Sequence, residues 1–208
     1  MLEILSETKD PLRVQPHLKK CFEGINRLEF NDQQEITAMI SVEKEVVQFK
    51  STINPSKARG MVEKWLIQVE DQMLTSIRMI IKEALAAYTT RDRKQWVLEW
   101  PGQIVICASQ VYWTKDVEET LLQNQLKAFL LKSNEEIKDT VSLVRGKLEI
   151  GPRRTLEALI VIDVHARDVV TSLIENKTSK ASEFLWISQL RYYWNTTAEK
   201  LMVHMISK

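Results

Sequence analysis

From about Lys57 onward, Met61, Trp65, Val69, Met73, Ile77, Ile80, Ile81, Leu85 and Tyr88 recur three or four residues apart, drawing one apolar stripe along a helix face. At the standard rise, a helix of roughly 30 residues is about 45 Å long. The polar stretch TTRDRK ends it, and a short helix, QWVLEW, follows. QIVICASQVYW reads as a further helix, although its β-branched content also suits a strand. Thr114 is then expected to cap a second long helix, with Asp116, Glu118 and Glu119 in its first turn, where negative charge is favourable. Its stripe, Val117 to Val144, ends at Arg145-Gly146. IGPRR is a turn opening RRTLEALIVIDVHARDVVTSLIENK, and SEFLWISQLRYYW is read as a last helix. Helices of such length cannot wrap a compact sphere made by 208 residues. The expected fold is mainly α, an elongated bundle of long helices.

The N-terminal third differs. Asp10 before Pro11 marks a helix start, Pro16 interrupts it, and Gly24 stops the turn that follows. Residues 27–49 carry β-branched residues in loose alternation, divided by NDQQ and EKE, and predict a small β-hairpin or meander near the N-terminus. STINPS is expected to be a loop. The division expected is 1–26 short helices, 27–49 small β element, 57–194 helical bundle and 195–208 tail. The tail's LMVHMIS alternates weakly, as a strand whose partner lies outside the chain would.

Net charge is +1, and the basic residues are interspersed with acids, so nucleic acid and anionic membrane are not expected partners. No apolar run reaches the roughly 18 residues a membrane span needs, and MLEILSETKDP lacks the basic start of a secretory signal. The two cysteines, Cys21 and Cys107, fit a reducing compartment better than a disulfide framework.

Chemistry-bearing patterns are sparse. GKLEIGPRR lacks the Gly-Lys-Ser/Thr ending of a phosphate loop and reads as a helix–helix turn. His17 and Cys21 share metal-competent spacing but lack two further ligands nearby. In IVIDVHARDVV, Asp163 and His165 would face one way on a strand, as a base and its orienter. On a helix, Asp163 and Arg167 would pair as ions four residues apart. The structural pairing is preferred, since buried charges survive by pairing. Around the Trp-Pro-Gly break, Trp96, Trp100, Pro101, Gly102 and Trp113 are expected to form a rigid aromatic corner and not a hinge. Pro101 disfavours helix at Trp100. No catalytic, cofactor-binding or metal-binding residues are expected.

Composition and spacing stop there, and wording goes further. LSETKDPLRVQPHLKKCFEGINRLEF, VEKWLIQVEDQM, WVLEWPGQIVICASQVYWT, LVRGKL, LEALIVIDVHARDVV and FLWISQLRYYW resemble, in this order, the linker region of dynein heavy chains. The wording is most similar to axonemal inner-arm heavy chains. The resemblance implies the ring-proximal part of the linker, a helical arch lying across a ring of AAA+ modules. ATP with Mg in that ring bends and straightens the arch, driving movement along microtubules, in the cytoskeleton of a cilium or flagellum axoneme. It further implies that the tail leads toward the first AAA+ module, and that ATP binding belongs to the parent protein. The implied partners are the ring of the same heavy chain and, through the parent motor, microtubules. The alternative is a non-motor helical scaffold that binds a partner through aromatic faces, with an enzyme built on Asp163 and His165 a distant third.

Overall fold

The structure is a computed structural model that describes residues 10–207. Among them are seven α-helices and five strands, and the chain divides into two compact units, Met1–Ile80 and Ile81–Lys208. The fold is mainly α with a small β-meander near the N-terminus.

The first unit begins with a 3-10 helix, Pro11–His17, which runs into α1, Leu18–Cys21. Asp10 caps it by accepting a hydrogen bond from the Leu12 N–H at 2.9 Å, the start that the Asp-Pro pair predicts. Gly24 follows with φ +78°, a conformation that favours glycine. Three antiparallel strands come next, in the order β1 (Ile25–Phe30), β2 (Ile36–Ser41) and β3 (Val46–Ile53). The loop expected at 51–56 is displaced, because the strand extends to Ile53 and a 3-10 turn, Pro55–Ala58, follows. Ile53 is buried opposite Ile36, and that core position draws the strand on. The sheet, the 3-10 helix and the first part of α2 (Val62–Tyr88) share one apolar core around Val14, Leu18, Leu28, Ile36, Trp65 and Val69. Two side chains serve backbone that the ladder leaves open. Gln15 both donates to the Leu28 carbonyl (2.7 Å) and accepts from its N–H (3.0 Å), beside a register shift in β1. The fully buried Ser76 hydroxyl accepts from the Lys50 N–H of β3 at 2.9 Å.

The second unit takes the end of α2 from Ile81 on, then α3 (Arg93–Glu99), α4 (Gly102–Leu122), α5 (Leu126–Val144), α6 (Ile150–Glu175) and the one-turn α7 (Phe184–Ile187). An antiparallel hairpin, β4 (Arg191–Asn195) with β5 (Lys200–His204), completes it. One core here joins Val117, Leu121, Phe129, Val170, Leu173 and Trp186.

The structure departs from several sequence expectations in this unit. Thr114 does not begin a helix: α4 runs unbroken through it, and its buried hydroxyl donates to the Gln110 carbonyl. The real break falls ten residues later, where Asn124 takes φ +54°. The Gln125 N–H then reaches the Thr120 carbonyl and the Asn124 N–H the Leu121 carbonyl, a left-handed helix stop. The apolar stripe continues across that stop, so periodicity alone fuses the pieces. RYYW is strand and not helix, as its aromatic run favours, and LMVH pairs with it inside the chain, leaving no need of an outside partner for that edge. The turn between α5 and α6 is GKLE, whereas IGPRR, expected as the turn, forms the first residues of α6; Arg153 closes the turn by donating to the Val144 and Gly146 carbonyls (2.8 and 3.1 Å).

Candidate functional site

His17 and Cys21 lie in the first unit; the aromatic-corner and ion-pair residues singled out by sequence lie in the second, and the structure sorts them into three places. The first is the end of α2. Trp96 of α3 is wholly buried and donates its indole N–H to the Ala84 carbonyl at 3.0 Å. Tyr112 of α4 donates its hydroxyl to the Leu85 carbonyl at 2.8 Å. The Tyr88 ring stacks on Tyr112 (4.1 Å, 8°) and meets Trp96 edge-on (4.8 Å, 80°). Here aromatic donors from the next two helices reach two carbonyls of the final turns of α2, and their rings supply the packing.

The second place is an ion pair joining α3 to α6. Arg93 donates through Nη2 to Asp163 Oδ2 at 2.9 Å and through Nη1 to the Tyr88 hydroxyl at 2.7 Å. Both charged side chains are largely buried, 18% and 16% exposed. Burial raises the Asp163 carboxyl above the ordinary range, Arg93 works against that, and nearby Glu136 adds to the rise. Burial likewise pushes the Tyr88 phenol up to about 12, so it remains a neutral hydrogen-bonding group. The expected Asp163–Arg167 pair does not form, since Arg167 instead pairs with Asp168 at 2.7 Å. His165 is exposed on α6 and Asp163 is turned to Arg93, so the helix separates the two residues weighed as a dyad.

The third place is the Trp-Pro-Gly break. Trp100 is extended (φ −111°, ψ 154°), as a residue before proline is, and Pro101 precedes the first residue of α4. Gly102 is buried, and a Cβ there would fall 2.5 Å from Thr155 Oγ1, so the small residue lets α4 approach α6 closely. The three tryptophans expected at this corner part company. Trp96 serves the end of α2, Trp100 is half-buried at the break, and Trp113 tilts against Trp186 at 5.3 Å.

Sequence reasoning missed the residues that hold the C-terminal hairpin. Thr114 Oγ1 accepts from the Tyr192 N–H at 2.9 Å. Glu118 accepts from the Tyr193 hydroxyl at 2.6 Å and the Trp186 indole at 3.2 Å. No local signal marks them, because their partners lie 68 to 78 residues away. Beside this anchorage an apolar groove of about 700 Å³ opens, lined among others by Ile106, Cys107, Val161, Leu190, Leu201 and Met205. Burial raises the Cys107 thiol. Among the described residues no cluster of three or more His, Cys, Asp or Glu is placed to hold a metal ion, and no helix is long and apolar enough to cross a membrane.

Comparison with known proteins accords with the wording of the sequence. The family model described as "Dynein heavy chain, N-terminal region 2" matches residues 1–84. The chain is 59% identical over 207 residues to dynein axonemal heavy chain 3 of Mus musculus, covering 100% of this chain and 5% of that protein. It is 55% identical over 196 residues to dynein axonemal heavy chain 12 of Rattus norvegicus, covering 93% and 6%. Dynein axonemal heavy chain 1 of Homo sapiens is 51% identical over 195 residues, covering 93% and 4%. The chain thus spans about a twentieth of the length of the curated relatives it matches. On this identity the chain belongs to the dynein heavy-chain family and corresponds to the N-terminal region of its axonemal members.

Proposed function

We propose that the chain is a non-catalytic lever segment, the ring-proximal part of a linker, in an axonemal dynein motor. It passes ATP-driven changes of an AAA+ ring into movement along microtubules in a cilium or flagellum. The observation that carries this reading is the 59% identity maintained over 207 residues to an axonemal heavy chain. The mechanical part of the reading is supported by how the second unit is tied. A lever needs elements that do not slide past one another under load. Side chains fixed to backbone across helices, and a largely buried ion pair from α3 to α6, resist sliding better than apolar contacts alone. Nucleotide chemistry, with ATP and Mg, belongs in this proposal to the ring of the parent protein.

The test uses a heavy chain that carries this segment. Arg93→Met is introduced, and ATP turnover and microtubule gliding are measured on the same preparation. The lever reading expects turnover to be retained and gliding speed to drop several-fold. Equal losses in both, or unchanged gliding, overturn it. The second reading, a helical scaffold that binds a partner, is favoured by one observation, the apolar groove beside the exposed Leu190, Val203 and Met205. Under it, Leu190→Glu abolishes a binding partner and leaves gliding intact.

A further inference from the structure

Among helices α3 to α6 of the second unit, next to the end of α2, lies a small cavity of about 30 Å³. Tyr88, Arg93, Ser109, Trp113, Glu136 and Asp163 contribute to its wall. Three buried polar atoms on these side chains, Arg93 Nε, Ser109 Oγ and Trp113 Nε1, have no partner within the protein. Ser109 itself is only 4% exposed. The volume exceeds the roughly 10–15 Å³ that one water needs.

The kinds of atoms decide what fits. Arg93 Nε and the Trp113 indole nitrogen carry hydrogens and only donate, so neither can satisfy the other. A ligand must therefore present acceptor lone pairs to them. An anion is disfavoured, because Asp116, Glu136 and Asp163 all line the same space. A metal ion is disfavoured by the N–H donors that would face it, and no metal-competent cluster exists among the described residues. What remains is a small neutral group that accepts and donates. We propose that this cavity is a built site for ordered water, which accepts from Arg93 Nε and Trp113 Nε1 and donates to Ser109 Oγ and a neighbouring carboxylate. Each guanidinium nitrogen then has one partner: Nη1 on Tyr88, Nη2 on Asp163, Nε on water. Buried polar groups are almost always satisfied, and three orphans around one water-sized space are accounted for by a single ligand.

The test is water–protein NMR on the 15N-labelled 208-residue chain. The probe is bulk water, read at the Trp113 indole proton. A long-lived bound water gives laboratory-frame and rotating-frame cross-peaks of opposite sign, whereas chemical exchange gives the same sign. The expected result is the opposite-sign pair for Trp113 in the wild type. Its absence from a folded sample overturns the proposal. A relay through the Ser109 hydroxyl would mimic the signal, so Ser109→Ala, which keeps the helix and leaves the space open, is measured too. Persistence of the cross-peak supports water, and its loss in the folded variant assigns the signal to the hydroxyl and overturns the site.

Discussion

The two units solve the same problem with different materials. The first closes its core with mainly aliphatic side chains and the buried Trp65 between a sheet and the start of α2, and uses single polar residues only where backbone is left open. The second buries an ion pair, stacked tyrosines and indoles whose N–H groups reach backbone or carboxylate. Strands satisfy most of their backbone by pairing, so the meander needs little help from side chains. Helices leave their ends open and approach one another only through side chains, so a bundle rich in helix ends must import donors and acceptors. Aliphatic packing is non-directional, whereas hydrogen-bonded aromatics and ions fix register. The second unit's specificity therefore rests on a few directional contacts, and the first unit's on volume.

Substitutions put that contrast to the test. The largest effect is expected for Trp96→Ala, which empties a fully buried site and strips a donor from α2. Chemical denaturation should show a loss of about 3–5 kcal/mol, and Trp96→Phe should recover all but about 1 kcal/mol. Next comes Asp163→Ala, which strands the Arg93 guanidinium beside Tyr88. A loss of about 2–3 kcal/mol is expected, below the range for fully buried pairs because the pair retains some exposure. Adding Arg93→Met to it should restore much of the loss, and failure to do so would mean the pair supplies net stability and not only register. In the first unit, Ser76→Ala leaves the Lys50 N–H without its partner and should cost about 1–2 kcal/mol. A cost as large as that of Asp163→Ala would erase the contrast.

The smallest effect is that of pH. The Tyr88 phenol titrates at about 12 in the fold, against an ordinary value of 10.0. A phenol raised on folding holds its proton longer in the native state. Its contribution is therefore fully present below about pH 10 and is lost as pH climbs toward 12. Tyr193, also raised to about 12 by burial and by Glu118, acts in the same direction. Denaturant midpoints at pH 8 and 11 should differ by about 1 kcal/mol from Tyr88, and Tyr88→Phe should narrow the gap.

Much of the architecture was written locally. The α2 stripe, the Asp10-Pro11 start, the meander and the turn at Gly146 depend on neighbours a few residues apart, which is the range over which periodicity and turn chemistry act. What misled was local chemistry overruled from a distance. Thr114 followed by acids looks like a cap, but its hydroxyl serves Tyr192. Asp163 and Arg167 have ion-pair spacing, but Arg93 lies on the inward side of α6 and takes the carboxylate first. The tryptophans cluster in sequence near Pro101, yet Trp113 lies about three turns along α4 from the break and meets Trp186 instead. Each of these three errors was a choice of partner, and partners are set by the packed whole.

The anchorage of the C-terminal hairpin bears on how this piece would carry tension. A tug on β4 or β5 meets the Tyr192–Thr114 and Tyr193–Glu118 bonds, both footed on α4, one helical turn apart. Load enters the second half of that helix, with the fully buried Thr114 as one of its two footings. Two adjacent attachments stressed together yield only when both rupture, which makes the joint resemble a rivet line more than a zip fastener.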